Sequence, residues 1–323
     1  MSCTQSRSLL RSLAFLAMVL WGASLLAQGG TGQIAGTVRD EQGGVIPGVA
    51  VTLRNVETGV TRVSVTEADG RYRFPSLLPG EYEVKAELAG FQTVEIRGDL
   101  IIRIGLEITR DITMPIGTVT ETITVTGESL LVETSSIEVS GVVSQEQISD
   151  LPIDSRNYLS LALLMPGTTL DGTRSFFPTI NVGGAVAFNA TGNILDGTIN
   201  NWVEDGEPRQ NLPEDAVEEF KVSNAQFDAE YGLATAGLVQ IVTKSGTNTF
   251  HGTGFEYFRD KSLNALGVFE SEKPEFRRDQ FGGSIGGPVV QDKMHFFSAV
   301  ERTQVNKFYT VFTGLPDFYG THE

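Results

Sequence analysis

Cysteine is nearly missing from this sequence, with Cys3 alone among 323 residues, and histidine is limited to His251, His295 and His322. A chain this poor in cysteine has no disulfide framework, and nothing downstream of residue 3 offers thiol chemistry. The histidines show no HxxE or HExxH spacing, and no GxSxG or P-loop pattern occurs, so no catalytic, metal or cofactor site is read from the sequence. Positive charge is also short, at 24 Lys and Arg against 40 Asp and Glu, a net charge of −16. Nucleic acid and anionic headgroups need basic patches, so both read as poor partners. Long apolar runs are lacking too. The longest, Leu13–Leu26, is broken by Gly22 and Ser24 and is too short to span about 30 Å of hydrocarbon as a helix. Arg7 and Arg11 precede it and small residues flank Ala27, which predicts a cleaved secretory signal over residues 1–27.

Glycine, by contrast, is abundant at 36 residues, which predicts many turns between short strands. Alternation over Gln33–Arg39, Val49–Asn55, Val60–Thr66, Arg71–Phe74, Gly80–Ala86 and Phe91–Ile96 predicts strands with one buried face. Asp69-Gly70 and Pro79-Gly80 supply turns between them. Such spacing predicts a small β-sandwich over residues 32–115. The stretches TVRDEQGGVIPGVAVTL and VTEADGRYRFPSLLPGEYEVKAELAGF resemble the carboxypeptidase regulatory-like domain. That resemblance implies a transthyretin- or Ig-like sandwich, of the kind grouped with carbohydrate-binding-like folds, and brings no peptidase chemistry. The acids Asp40, Glu41, Glu67 and Asp69 lie in turns, where they read as solvated turn formers.

Residues 117–130 form a hinge, and residues 131–249 read as a mixed α+β domain. Ser144 and Gln147 predict a capping box for a helix ending at Leu151-Pro152. A second helix is expected over Asn157–Met165, stopped by Pro166-Gly167, and a third over Pro213–Phe220. The succession VVSQEQISDLPIDSRNYLSLALLMPG, NILDG, EDAVEEFKVSNAQFDAEYG and GLVQIVTKSGTNTFHG is similar to the plug of TonB-dependent outer-membrane receptors that carry a regulatory-like domain in front. Within the hinge, Glu121, Thr122, Ile123, Thr124, Val125, Thr126 and Gly127 resemble a TonB box, the strand such receptors offer to the periplasmic energiser. The same residues also read as the last strand of the sandwich or the first of the next domain. Phe176, Phe177 and Trp202 are candidate ligand contacts, with core packing as the alternative fate of each. Asp196, Glu204, Asp205 and Glu207 could pair as glycosidase carboxylates, but a chain with 40 acids produces such clusters readily, and the chain is read as no enzyme.

Residues 250–323 hold 14 of the 28 aromatic residues. Alternating stretches at Phe250–Arg259, Phe276–Gly287 and Met294–Thr303 match the length of outer-membrane strands, with a long loop and a short turn between them. They are similar to the first barrel strands of the same receptors. The resemblance implies a mainly β chain in the outer membrane, with a periplasmic sandwich, the TonB complex and a nutrient ligand as partners, and energised uptake of a glycan or siderophore-like compound. A plugged barrel needs about 22 strands, so the chain is expected to be an N-terminal fragment or a truncated product. The alternative is a secreted or surface module that binds carbohydrate or protein without transport.

Overall fold

The structure is a computed structural model and describes residues 30–117, 123–125, 139–151, 153, 156–171, 179–184, 190–202, 207–224, 234–266, 273 and 275–307. The signal segment 1–27 and the Phe176-Phe177 pair lie outside the described residues.

The N-terminal domain is a two-sheet sandwich. Its strands are β1 (Gly32–Asp40), β2 (Ala50–Asn55), β3 (Thr61–Val65), β4 (Arg71–Leu77), β5 (Gly80–Glu87), β6 (Val94–Ile102), β7 (Glu107–Thr109), β8 (Ile112–Met114) and β9 (Ile123–Val125). One sheet runs β4-β1-β7, with β8 also pairing β1 in parallel, and the other runs β3-β2-β5-β6-β9. Alternation decides which side chains turn inward. Ile34 and Val38 from β1, Val51 and Leu53 from β2, Tyr72 and Phe74 from β4, and Val84 and Ala86 from β5 are all buried in one core. The expected hinge strand is therefore the sheet's edge: β9 runs parallel to β6, with Val94, Glu95 and Ile96 opposite Ile123, Thr124 and Val125. Glu121, Thr122, Thr126 and Gly127 lie outside the described residues.

The central domain packs helices on a mixed sheet. It contains β10 (Val139–Val143), helix α1 (Gln145–Asp150), β11 (Thr168–Asp171), β12 (Thr179–Val182), β13 (Thr191–Leu195), β14 (Thr198–Ile199), β15 (Val217–Asn224) and β16 (Gly237–Thr243). Strand order is β10-β15-β16-β13-β14, and β11 and β12 form a separate hairpin. The capping box at α1 is as expected: Ser144 Oγ accepts from Gln147 N, and Ser144 N donates to Gln147 Oε1. Two expected helices differ. Tyr158–Leu164 is a 3-10 helix, and Pro213–Phe220 gives one 3-10 turn at Glu214–Ala216 before β15 begins. The reason is packing. Val217, Phe220 and Val222 are buried against Tyr158, Val239 and Ile241, and that burial outweighs the helix-start signal of Pro213 and the following acids. Tyr158 and Phe220 meet edge to face at 5.7 Å.

The third unit is an antiparallel sheet of β17 (His251–Asp260), β18 (Phe276–Val290) and β19 (Met294–Lys307). β17 has the ten residues read from sequence, shifted by one, while β18 and β19 are longer, because pairing continues through Pro288 and past Thr303. One face carries exposed Phe258, Phe281, Ile285 and Val300. Register partners such as Phe255, Gly282 and Glu301, or Tyr257, Gln280 and Thr303, lie on the other face, toward the central domain. The three strands do not close into a barrel.

Candidate functional site

Where the central domain meets the β17–β19 sheet, a single cation organises the contact. Arg156 sits between α1 and the 3-10 helix, with φ of +53°, and Asn157 caps that helix by accepting from Leu159 N at 3.1 Å. Its side chain is 11% exposed. Nη1 lies 3.4 Å from Glu214 Oε1, Nη2 3.1 Å from Asp215 Oδ2, and Nε 3.5 Å from Glu301 Oε2. The Asp215 approach is Coulombic, since neither Nη2 nor Oδ2 makes a well-directed hydrogen bond. The guanidinium plane also lies over the Phe255 ring, 3.7 Å from its centroid, and 5.5 Å from that of Tyr257. Glu301 is fixed in turn by Gln280, whose Nε2 donates to Glu301 Oε1 at 2.6 Å. Burial opposes the charge on Arg156, but Glu214, Asp215 and Glu301 outweigh it and raise its pKa. Burial also pushes the Glu214 carboxyl up, with Arg156 pulling it back.

Beside this cage lies a cleft of about 610 Å³, walled by Asp150 and Ile153 of the central domain and by Tyr257, Arg259 and Arg278 of the sheet. It is a mixed polar and aromatic surface at the end of β17 that leads into the long loop.

A second junction holds the sandwich to the central domain. Glu219 on β15 is buried and its Oε1 accepts from Ile104 N at 2.5 Å. Burial lifts its pKa from 4.5 to about 7, with the Ile104 N–H and Arg103 opposing and Glu218 adding to the rise. Asn248 ties three parts together. Its N donates to Glu57 O at 2.9 Å, its Nδ2 to Asp292 Oδ1 at 2.9 Å, and its Oδ1 accepts from Asp292 N at 2.9 Å.

The residues read from sequence fall differently. Ile123, Thr124 and Val125 are an edge strand of the sandwich and take no part in the Arg156 cage. Trp202 is exposed, with the Arg209 guanidinium 5.6 Å from its ring, so it does not pack in the core. Asp196 is used structurally: Oδ1 accepts from Thr243 N and Oδ2 from Thr243 Oγ1, both at 2.9 Å. Arg156 was not among the candidates. It is one arginine between Ser155 and Asn157 in the sequence, and its partners lie about 60 to 145 positions away, so local pattern gives no sign of it.

Comparison with known proteins matches the two ends of this architecture. Residues 33–127 match the carboxypeptidase regulatory-like domain, a span that includes β9, and residues 242–318 match the outer membrane beta barrel domain. The chain is 26% identical over 308 residues to the TonB-dependent transporter Oar of Myxococcus xanthus, covering 87% of this chain and 27% of that one. The chain thus spans about a quarter of the length of this curated relative. Among solved structures, the siderophore receptor PirA from Acinetobacter baumannii is 22% identical, with a TM-score of 0.41 over 52% of this chain and 24% of that chain. Catechol 1,2 dioxygenase of Acinetobacter radioresistens is 13% identical, with a TM-score of 0.21 over 27% of this chain and 52% of its own. The chain is therefore similar to a carboxypeptidase regulatory-like domain at one end and to an outer membrane beta barrel domain at the other, and along most of its length to a TonB-dependent transporter.

Proposed function

We propose that this chain is the front part of a TonB-dependent outer-membrane receptor that imports a scarce or large nutrient, a glycan or a siderophore-like compound. Residues 1–27 direct export and are removed, the sandwich stands in the periplasm, residues 131–249 form the plug, and 250–323 begin the barrel wall. No covalent step is assigned to any residue.

The observation that carries this reading is the character of the contact between central domain and wall. Among the described residues, it centres on an arginine shared among three carboxylates and two rings. Charged groups exposed by a pull regain water, so a plug held in this way can leave the wall and return. An apolar core of equal area would lose about 25 cal/mol for each Å² exposed. The working cycle follows: ligand binds at the outer face, TonB takes the segment around Ile123–Val125, and tension moves the plug.

Deleting Ile123–Val125 from the complete receptor is expected to abolish uptake while ligand binding to whole cells persists. Uptake at the unmodified rate would overturn the assignment.

A further inference from the structure

The cleft beside the Arg156 cage has a charge pattern that the cage does not use. Five charged residues wall it: Asp150, Arg156, Glu214, Arg259 and Arg278. Arg156 and Glu214 pair with each other at 3.4 Å, which leaves two arginines against the one carboxylate of Asp150. Arg259 on β17 and Arg278 on β18 are register partners, and the row continues to Val305 on β19. Register partners share a face of the sheet, so both arginines stand on the inward face with Phe255 and Tyr257. The next row on that face, Tyr257, Gln280 and Thr303, is uncharged. Like charges placed directly opposite one another work against strand pairing. In a chain of net charge −16, this row supplies two cations and no acid.

Resting on the uptake reading above, we propose that this cleft is a charge-selecting subsite and that the imported nutrient is an acid, whose carboxylates Arg259 and Arg278 take together. Position supports it. β17 runs from the cleft into the long connection to β18, and long connections in outer-membrane barrels lie on the outer side. Orientation supports it as well. Asn264 Oδ1 accepts from Arg259 Nε at 3.0 Å, and the Phe276 ring centroid lies 5.3 Å from the Arg259 guanidinium carbon, so this side chain is held from two sides. A guanidinium has five N–H donors, and the Asn264 bond uses one. Opposite Cα atoms on antiparallel strands lie about 4.5–5.5 Å apart, so one carboxylate, or two on adjoining sugar units, can bridge the pair. Access is open, with Arg259 exposed and Arg278 half-buried. Exposed Tyr257 adds ring surface in the same wall. A neutral ligand would strip water from both guanidinia without supplying a countercharge, and the cleft discriminates against it for that reason. The same donors fit carboxylates from two sources, an acidic oligosaccharide or a citrate-type iron chelate.

The test is calorimetric titration of the purified complete receptor with three probes: a galacturonic acid trisaccharide, the methyl ester of the same trisaccharide, and ferric citrate. At least one acidic probe is expected to bind. Binding of the trisaccharide, with its ester weaker by about tenfold or more, assigns a glycan source; binding of ferric citrate alone assigns an iron chelate. Arg259→Gln and Arg278→Gln are each expected to weaken that binding by about tenfold or more, and Arg278→Lys to recover part of the loss. Arg277→Gln, at the neighbouring position on the outward face, is expected to bind as the parent does. Equal binding of acid and ester, or arginine variants as tight as the parent, would overturn the proposal and leave the uptake reading standing. Absence of binding by both acidic probes would overturn it too. A probe that binds through the two arginines yet enters whole cells equally with and without TonB would sink the uptake reading and leave the subsite standing.

Discussion

The guanidinium of Arg156 stacks on the ring of Phe255 at 3.7 Å, so the central domain and the β17–β19 sheet meet through a cation on an aromatic face. Glu301, opposite Gly282 and so on the same face of the sheet as Phe255, completes the contact from the wall side. Neither residue could hold Arg156 alone at this depth. The ring supplies area and a negative face, and the carboxylates supply the countercharge.

Arg156→Ala leaves Glu214, Asp215 and Glu301 clustered without their shared cation. Removing one partner from a buried ion pair costs about 3–5 kcal/mol. The cage keeps some access to water, so a loss of about 2–3 kcal/mol is expected, read as a lower urea midpoint. Arg156→Lys keeps the charge but not the planar fork, and is expected to recover less than half of that loss.

Glu219 makes the attachment of the sandwich depend on pH. Its folded-state pKa of about 7 stands above the ordinary 4.5, so the folded chain holds this proton more tightly than the unfolded one. The stability it contributes is complete below about pH 4.5, falls as pH rises toward 7, and is level above that. Glu214 and Glu218 are shifted in the same direction, so they steepen the fall. Glu219→Gln keeps an acceptor for Ile104 N but has no charge to desolvate. Urea titrations should find the variant more stable than the parent at pH 8, by on the order of 2 kcal/mol, with the gap closing near pH 4.5.

Asn248→Ala removes the side-chain bonds to Asp292 while keeping the backbone bond to Glu57. Faster hydrogen exchange at the Asp292 amide is expected, with a loss of about 1–2 kcal/mol. Unchanged protection at Asp292 would mean that the turn between β18 and β19 is held by other contacts.

Within the sandwich, Tyr72 donates from its hydroxyl to Arg110 O at 2.6 Å, and burial raises the pKa of the phenol well above its ordinary value. Tyr72→Phe preserves the ring packed against Phe74 and loses only the hydrogen bond. A stability loss of about 1 kcal/mol is expected by denaturation followed through far-ultraviolet circular dichroism.

The sandwich was the most legible part of the chain. Gly80–Ala86, read from alternation and the preceding Pro79-Gly80 turn, differs from β5 by one residue at its end. The box at Ser144 and Gln147 also formed as read, because a cap is satisfied by residues three positions apart. Reading failed where distant partners decided the outcome. Pro213-Glu214-Asp215 has the local chemistry of a helix start, yet the pairing of β15 with β10 and β16 drew Val217–Asn224 into the sheet after a single turn. Trp202, for which core packing was the favoured reading over ligand contact, lies exposed beside Arg209.

Two properties rest on the sequence alone: alternation with glycine-rich turns made this a chain of strands, and the acidic balance made nucleic acid a poor partner. Both depend on residues within a few positions of one another or on simple sums over the chain. The Arg156 cage, the buried Glu219 and the docking of Ile123–Val125 on β6 were decided only by the tertiary structure. Each requires groups far apart in the chain to share one small volume, where desolvation strengthens charge interactions and shifts proton affinities. Sequence spacing does not encode that shared volume, because it exists only after the three units have packed.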